Sequence, residues 1–460
     1  MVNTDSPARA GGTRGRAAAR VRGGDPLERA TRLLLPALAF AAGPTAVVAQ
    51  ADGETEALLR ADSIRASLEL PPARPAADAL DVLAFPFKIV LFPVGLAAQT
   101  AGALFGVATR PDPSVPARTI FAARRWGLDS GLGSIGPRSG LALVIGLNRY
   151  RPLFVETGIS LRKSQRHRVG VAVGDTSALG FVAAYQWRRD AADHFWGLGP
   201  RSAEERRSDF LRDKQELGAR AFVPLAPVLR VLAGVAVEDN RVDRGRDGLR
   251  PDVQDTFAGD SLFGIDGRPR FVRLDVSGIV DLTHWNDFQR HGVRLSGGVS
   301  IFRGVDGTES DFHRFQGELH AYVPVNPAQS LAFRALLESN HLDGGLGIPF
   351  FDLSRLGGSR NGPRGFSDGR FRDRAGLSLM AEWRYEVWED VGGRNRAEGF
   401  LFLDSGGVAP SIGSLGLGAL RESYGLGLRL VSRDAGLLGL AYLGFSTEGV
   451  VANFRTGWTF

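Results

Sequence analysis

Apolar and polar residues alternate with a period of two along most of the chain after residue 118. In the segment VLRVLAGVAV, one face carries Leu229, Val231, Ala233, Val235 and Val237. The segment RFVRLDVSGIVDL and the segment LSLMAEWRYEVW repeat this pattern, with charged residues on the other face. Successive side chains of a β-strand point to opposite faces, so these segments are predicted to be strands with one apolar and one polar face.

About sixteen such segments, each of roughly ten residues, are separated by Gly, Asn, Asp and Pro turns, as in a transmembrane β-barrel with lipid outside and water inside. They fall at 118–129, 139–149, 152–161, 167–174, 178–188, 214–225, 228–240, 270–284, 291–304, 312–325, 330–339, 375–388, 399–405, 423–432, 437–446 and 451–460. A soluble β-sandwich also has alternating strands. The recurrence of strands without helices over more than three hundred residues favours an all-β transmembrane antiparallel barrel over residues 116–460. Long loops are predicted at about 189–213, 241–268 and 340–374, on the outer side of the membrane.

The first 51 residues have the order of a secretory signal, with a basic region, a short apolar core and the small residues Ala49 and Ala51 around a cleavage site. Residues 52–115 differ from the alternating part of the chain because they have helical apolar patterns and a Pro-rich linker. We expect them to form a short periplasmic helical segment lying on a membrane surface, or alternatively a plug inside the barrel. A signal that exports the chain also favours the transmembrane barrel over the soluble β-sandwich.

Composition excludes several other classes of function. The chain has no Cys, which excludes disulfides and thiol chemistry, and its histidines lack ligand spacing, so we expect no metal and no other cofactor. Formal net charge is +6, but Lys occurs only three times and much of the excess lies in the signal, so we expect no nucleic-acid partner. The motif GDSL with Ser261 and a later DLTH with His284 imitate a hydrolase, but they lie in a loop and at a strand end. We therefore predict that the protein is not an enzyme.

The segment LGGSRNGPRGFSDGRF contains the chemically most informative cluster. Arg364, Gly365 and Phe366 follow the pair Gly357 and Gly358 within the long loop 340–374. The next strands bring acidic residues to the polar face, at Glu382 and at the F-x-D-x-G motif formed by Phe402, Asp404 and Gly406. An arginine fork can donate charge-assisted hydrogen bonds to two carboxylates at once, which lysine does not match. We predict that Arg364 anchors the loop inside the barrel through Glu382 and Asp404, with Gly365 allowing close approach to the wall.

The chain ends NFRTGWTF, with Trp458 and the terminal Phe460 on one face of the last predicted strand. Together with the loop motif and its two acids, this C-terminal barrel signal resembles the BamA/TamA-type outer-membrane assembly barrels, the bacterial surface antigen family. The specific resemblance covers about residues 350–460, and its order of motifs matches a sixth outer loop folded back into the lumen.

The resemblance implies a bacterial outer-membrane protein that inserts or translocates other polypeptides, with the lipid bilayer as its surroundings and a periplasmic protein or polypeptide as its partner. Members of the family usually carry periplasmic POTRA modules, and residues 52–115 contain no evident one, so we expect a member lacking them. The alternatives are a passive porin-like channel and a structural anchor in the outer membrane.

Overall fold

The computed structural model describes most of the chain from residue 119 onward. The described residues are 119–123, 128–133, 135, 139, 142–147, 152–174, 179–245, 250–258, 262–286, 288–305, 307–390, 392–433 and 436–455. The predicted signal, the predicted helical segment 52–115 and the C-terminal residues Trp458 and Phe460 lie outside this part of the chain.

Twenty strands account for most of the described residues. In chain order they are β1 Thr119–Ala123, β2 Leu128–Gly133, β3 Ala142–Leu147, β4 Leu153–Ser160, β5 Gln165–Val173, β6 Gly180–Phe195, β7 Ser208–Ala226, β8 Leu229–Arg244, β9 Arg270–Asp281, β10 His284–Asn286, β11 Gln289–Val305, β12 Ser310–Asn326, β13 Gln329–Gly345, β14 Ser354–Leu356, β15 Phe371–Asp373, β16 Ala375–Glu389, β17 Asn395–Ala409, β18 Arg421–Ser432, β19 Gly436–Ser446 and β20 Gly449–Arg455. All of them except β14 and β15 belong to one sheet, in which neighbouring strands pair antiparallel. Both β9 and β10 pair with β11, and β13 pairs with β16.

Short helical turns occupy some of the connections. Among the described residues, two are α-helical, Val253–Thr256 and Gly358–Asn361, and four are 3-10 helices, Glu204–Arg206, Phe350–Asp352, Ile412–Ser414 and Leu417–Ala419. Within the residues that the structure describes, no helix is both long enough and apolar enough to cross a membrane.

The two faces of the sheet differ in the way that the alternation predicts. On β9, Leu274 and Val276 are about half exposed, at 50% and 45%, whereas Arg273, which precedes Leu274 and lies on the other face, is 8% exposed. Arg273 pairs with Glu238 of β8 and Asp275, so the protected face carries an ion-pair network. An apolar outer face and a charged inner face suit a barrel wall between lipid and a polar lumen.

The sheet curls around a loop that we call the lumen loop, residues 346–374, between β13 and β16. This loop contains the separate hairpin of β14 and β15. Its Arg372 donates to the carbonyl of His194 on β6, and its Arg364 binds Asp404 on β17. Inner faces of strands far apart in the sheet thus meet the same loop. The predicted all-β transmembrane barrel is confirmed, and its sheet contains eighteen strands among the described residues where about sixteen were predicted.

The strand boundaries differ from the predicted ones in two respects. The first predicted segment, 118–129, spans the five-residue β1 and the start of β2. The strands next to the long loops also extend further than predicted, so the loops shrink to 196–207, 245–269 and 346–374. These strand ends lack apolar alternation because loops and aromatic residues cover them, such as the cluster of Phe195, Phe210, Phe257, Phe350 and Phe351.

Candidate functional site

Arg364 and Arg372 are the most deeply enclosed cations of the lumen loop, each with 1% of its surface exposed. Arg364 meets two carboxylates of the wall through its guanidinium group. Its Nε and Nη2 donate to the two carboxylate oxygens of Asp404 at 2.8 and 2.7 Å, and its backbone N–H donates to Oδ2 at 2.9 Å. Nη1 donates to Oε1 of Glu382. The structure therefore brings Arg364 together with both acids, and the bidentate contact to Asp404 fixes the orientation of the guanidinium plane.

The carboxylate of Glu382 is shared between two arginines. Its Oε1 accepts from Arg364, and its Oε2 accepts from Nε of Arg384, two residues along β16, at 2.8 Å. Burial alone would lower the pKa of Arg364, but Glu382 and Asp404 raise it above its ordinary value. The guanidinium therefore stays charged, and each of its charged neighbours has a hydrogen-bonded partner, as buried ion pairs require.

Gly365 lies directly against the barrel wall. Its N–H donates to Oγ of Ser423 on β18 at 3.0 Å, and its carbonyl accepts from Oγ of Ser446 on β19 at 2.8 Å. A Cβ at Gly365 would lie 2.6 Å from the carbonyl oxygen of Phe445. A Cβ at Gly444 would lie 2.9 Å from the carbonyl oxygen of Arg364. Glycine on both sides of this contact is what permits the loop backbone to touch the wall.

Phe366 completes the motif by packing on the loop itself. It is 1% exposed and forms a cluster with Leu356 of β14, Phe371 of β15 and Val408 of β17. Its ring meets that of Phe371 edge to face, with 5.1 Å between centroids. The Phe366 side chain therefore joins the small hairpin of the lumen loop to the inner face of the wall.

The remaining predicted site residues shape the surroundings of Arg364. The Phe402 ring lies under its guanidinium, 3.9 Å from centroid to Cζ, which is a favourable cation–π geometry. Gly406 borders Pro363, whose Cδ would be 3.1 Å from an added Cβ. Gly357 and Gly358 have φ values of 110° and 80°, which glycine adopts readily and other residues avoid. All the predicted loop and wall residues thus lie in or beside one cluster.

The opposite side of the lumen loop has its own set of arginine contacts, which the sequence did not indicate. Arg355 bridges Asp193 of β6 and Asp368 of the loop at 3.0 and 2.9 Å. Arg370 donates to the carbonyl and hydroxyl of Ser202 and pairs with Glu448, which follows β19. The loop therefore connects the β6–β7 side of the barrel with the β16–β19 side.

Asp352 of the lumen loop makes a further contact with the wall, and this contact depends on pH. Its Oδ1 lies 3.0 Å from Nη2 of Arg212 on β7. Burial raises the pKa of Asp352, but Arg212, Arg314 and Lys214 outweigh burial and hold it below the ordinary 3.8. A carboxyl group with a depressed pKa stabilises the fold above its unfolded pKa and loses that contribution as pH falls further. We expect the unfolding midpoint of the natural chain to exceed that of Asp352→Asn at neutral pH, and this difference to shrink only as pH falls below the ordinary Asp pKa of 3.8 and through the depressed pKa of Asp352. Thermal unfolding in detergent at several pH values measures it, and a difference independent of pH would contradict the assignment.

Sequence reasoning missed Ser423, Ser446 and Gly444, which receive the backbone of the motif. Serine and glycine are common on the inner faces of barrels, so these residue types did not indicate a contact with the loop, although the alternation placed all three residues on strands. Arg384 is one of the charged residues of the segment LSLMAEWRYEVW, which the alternation placed on the polar face, but its contact with Glu382 was not predicted. The geometry defines a class of protein: a transmembrane β-barrel whose lumen holds a folded loop, fixed to the wall by a buried Arg–carboxylate cluster.

The comparisons with known proteins agree with this class. The sequence matches the Omp85 superfamily domain over residues 195–442, which is 248 of 460 residues. The chain belongs to the Omp85 superfamily, and the predicted resemblance to BamA/TamA-type barrels is confirmed. No curated protein matches the sequence.

Several solved structures match the chain at low identity. BamA from Haemophilus ducreyi lacking POTRA domains 1–3 is 13% identical, with a TM-score of 0.53 over 71% of this chain and 68% of that chain. CdiB from Escherichia coli is 15% identical, with a TM-score of 0.46 over 73% of this chain and 62% of that chain. CdiB from Acinetobacter baumannii is 13% identical, with a TM-score of 0.42 over 71% of this chain and 59% of that chain. This chain thus spans less than two thirds of either CdiB chain.

Proposed function

We propose that this protein resides in the bacterial outer membrane and inserts or translocates polypeptides there. Membership of the Omp85 superfamily supports the general role, and the apolar outer face supports residence in a bilayer. The observation that carries the proposal is the anchored lumen loop. A barrel whose interior is crossed by a loop held through a fully buried Arg364 cluster is built to stay closed at rest, whereas a channel for free diffusion needs an open lumen.

The lumen loop is held by charged contacts on two sides of the barrel. Arg364 has three hydrogen bonds to Asp404 and one to Glu382, and Arg372, which is 1% exposed, joins the loop to β6 on the other side. Removing one partner from such a buried pair costs about 3–5 kcal/mol, because the other charge is left uncompensated. Thermal motion alone therefore leaves the loop in place, and opening requires an interaction that replaces these contacts.

Two measurements test the proposal and separate it from the porin-like alternative. In planar bilayers, we expect the purified full chain to be closed for most of the recording, because the loop occupies the lumen. In cells of the source bacterium, we expect depletion of the protein to lower the amount of other folded outer-membrane barrels severalfold, while soluble periplasmic proteins stay constant. A large steady conductance together with unchanged barrel levels would identify a passive channel, and a closed lumen with unchanged levels would favour a structural anchor.

A further inference from the structure

A second arginine-rich site lies in the barrel interior, at the end where the connections between strands are short. A cavity there is lined by three arginines from different strands: Arg290 on β11, Arg384 on β16 and Arg429 on β18. The lining contains one carboxylate, that of Glu398 on β17. Arg429 and Glu398 are cross-strand partners in the ladder of β17 and β18.

Arg429 is buried without enough acceptors for its donors. It is 5% exposed, and its Nε and Nη1 have no hydrogen-bond partner among the described residues. The nearest carboxylate oxygen, Oε2 of Glu398, lies 3.4 Å from Nη1 and forms an ion pair without a hydrogen bond. Buried donors are almost always satisfied, and a charged donor left unsatisfied is especially costly. An acceptor from outside the described chain would remove this cost.

The other two arginines make the cavity a favourable place for negative charge. Arg384 already binds Glu382, and Arg290 binds Thr283 and Asp281, so both are held in fixed positions. Tyr322, which is 5% exposed, lies between them, with its ring centroid 5.0 Å from the Arg290 guanidinium and 5.9 Å from that of Arg384. Such preorganised guanidinium groups bind planar or tetrahedral oxyanions through two donors at once.

We propose that this cavity binds one oxyanion group, a carboxylate or a phosphate, with Arg429 as the principal donor. The enclosed space is about 10 Å³, close to the smallest that holds a water molecule. Only the charged oxygen atoms of a ligand therefore enter it. The site is separate from the Arg364 anchor but adjacent to it, because Arg384 contributes to the cavity and shares Glu382 with Arg364.

Equilibrium dialysis with radiolabelled inorganic phosphate tests the proposal on the purified full chain in a neutral detergent, with chloride keeping the ionic strength constant. We expect saturable binding of one phosphate per chain. Arg429→Gln removes the unsatisfied donors and should weaken binding by at least about tenfold, which is the usual effect of losing a hydrogen bond to a charged group. Arg394→Gln is the matched control, since Arg394 is an exposed arginine at the nearby β16–β17 turn, and its phosphate binding should equal that of the natural chain.

Competition with acetate distinguishes the two kinds of oxyanion. Displacement of phosphate by acetate would indicate a site for carboxylates as well, and failure of acetate to compete would restrict the site to phosphate. Should Arg429→Gln fail to fold, Arg429→Lys and Arg290→Gln provide the same comparison, each with weaker binding expected. The proposal is overturned if the natural chain binds neither anion saturably, or if phosphate binding is the same in the folded arginine variants and the natural chain.

Discussion

Replacing Arg364 by glutamate is expected to abolish the compact form of the barrel that resists unfolding in detergent. The substitution places a third carboxylate beside Glu382 and Asp404, which are 2% and 0% exposed and would then lack a common cation. Breaking a buried ion pair by removing one partner costs about 3–5 kcal/mol, and charge reversal adds repulsion to that loss. The difference in electrophoretic mobility between unheated and heated samples measures the folded fraction at each temperature.

Arg360→Glu is the matched control for this experiment. It makes the same change of charge four residues away in the same loop, but Arg360 is exposed. We expect Arg360→Glu to behave like the natural chain and Arg364→Lys to fall between the two, because lysine keeps the charge but loses the bidentate contact. Combining Arg364→Glu with Asp404→Arg should restore part of the folded fraction. Equal heat resistance of Arg364→Glu and Arg360→Glu would show that the cluster does not anchor the loop.

Replacing Gly444 by alanine is expected to push the lumen loop away from the wall. The new methyl group would lie 2.9 Å from the carbonyl oxygen of Arg364 and 3.0 Å from Cα of Gly365, and both neighbours are backbone atoms. Overpacking of this kind costs about 1–3 kcal/mol when backbone must move. We expect a lower unfolding midpoint and faster protease cleavage within the lumen loop, because the hydrogen bonds of Gly365 to Ser423 and Ser446 depend on this contact.

Gly278→Ala provides the comparison for Gly444→Ala. Gly278 also lies within a strand of the wall, β9, but an added Cβ there meets no atom within 4 Å. Its free energy of unfolding should stay within about 0.5 kcal/mol of that of the natural chain, as for other substitutions without new contacts, so its unfolding midpoint should stay close to the natural one. A loss at Gly278 equal to that at Gly444 would mean that strand propensity, and not loop contact, governs the result.

The strands could be predicted from the sequence where lipid dictates the pattern. The apolar face of β9 is set by Leu274 and Val276, which have no alternative to the bilayer, so a period of two suffices to find the strand. At the ends of β6 and β7 this rule fails. Phe195 and Phe210 there are completely buried. Apolar residues at these strand ends are covered by loops and do not face lipid, so the alternation does not locate the end of the strand.

The part of the candidate site around Arg364 could be predicted because a buried arginine requires carboxylate partners. Arg364 needed carboxylates, and the alternation placed Glu382 and Asp404 on the correct face of neighbouring strands. The contacts of Arg355 and Arg370 could not be found in this way. Their partners, Asp193 and Ser202, lie more than 150 residues away in sequence, with separations of 162 and 168. Only the curvature of the sheet brings these residues close to the loop, and curvature has no local sequence signal.

The strands that flank the lumen loop, β13 and β16, pair directly with each other from Gln329 and Tyr385 to Ser339 and Ala375. The loop therefore leaves the cylinder and returns to it at adjacent positions, without interrupting the ladder. The loop can therefore enter the interior without passing through the strand pairing, and its withdrawal breaks no hydrogen bond between the strands of the wall. The lumen loop can thus move relative to the wall while the wall stays intact, although one continuous chain forms both.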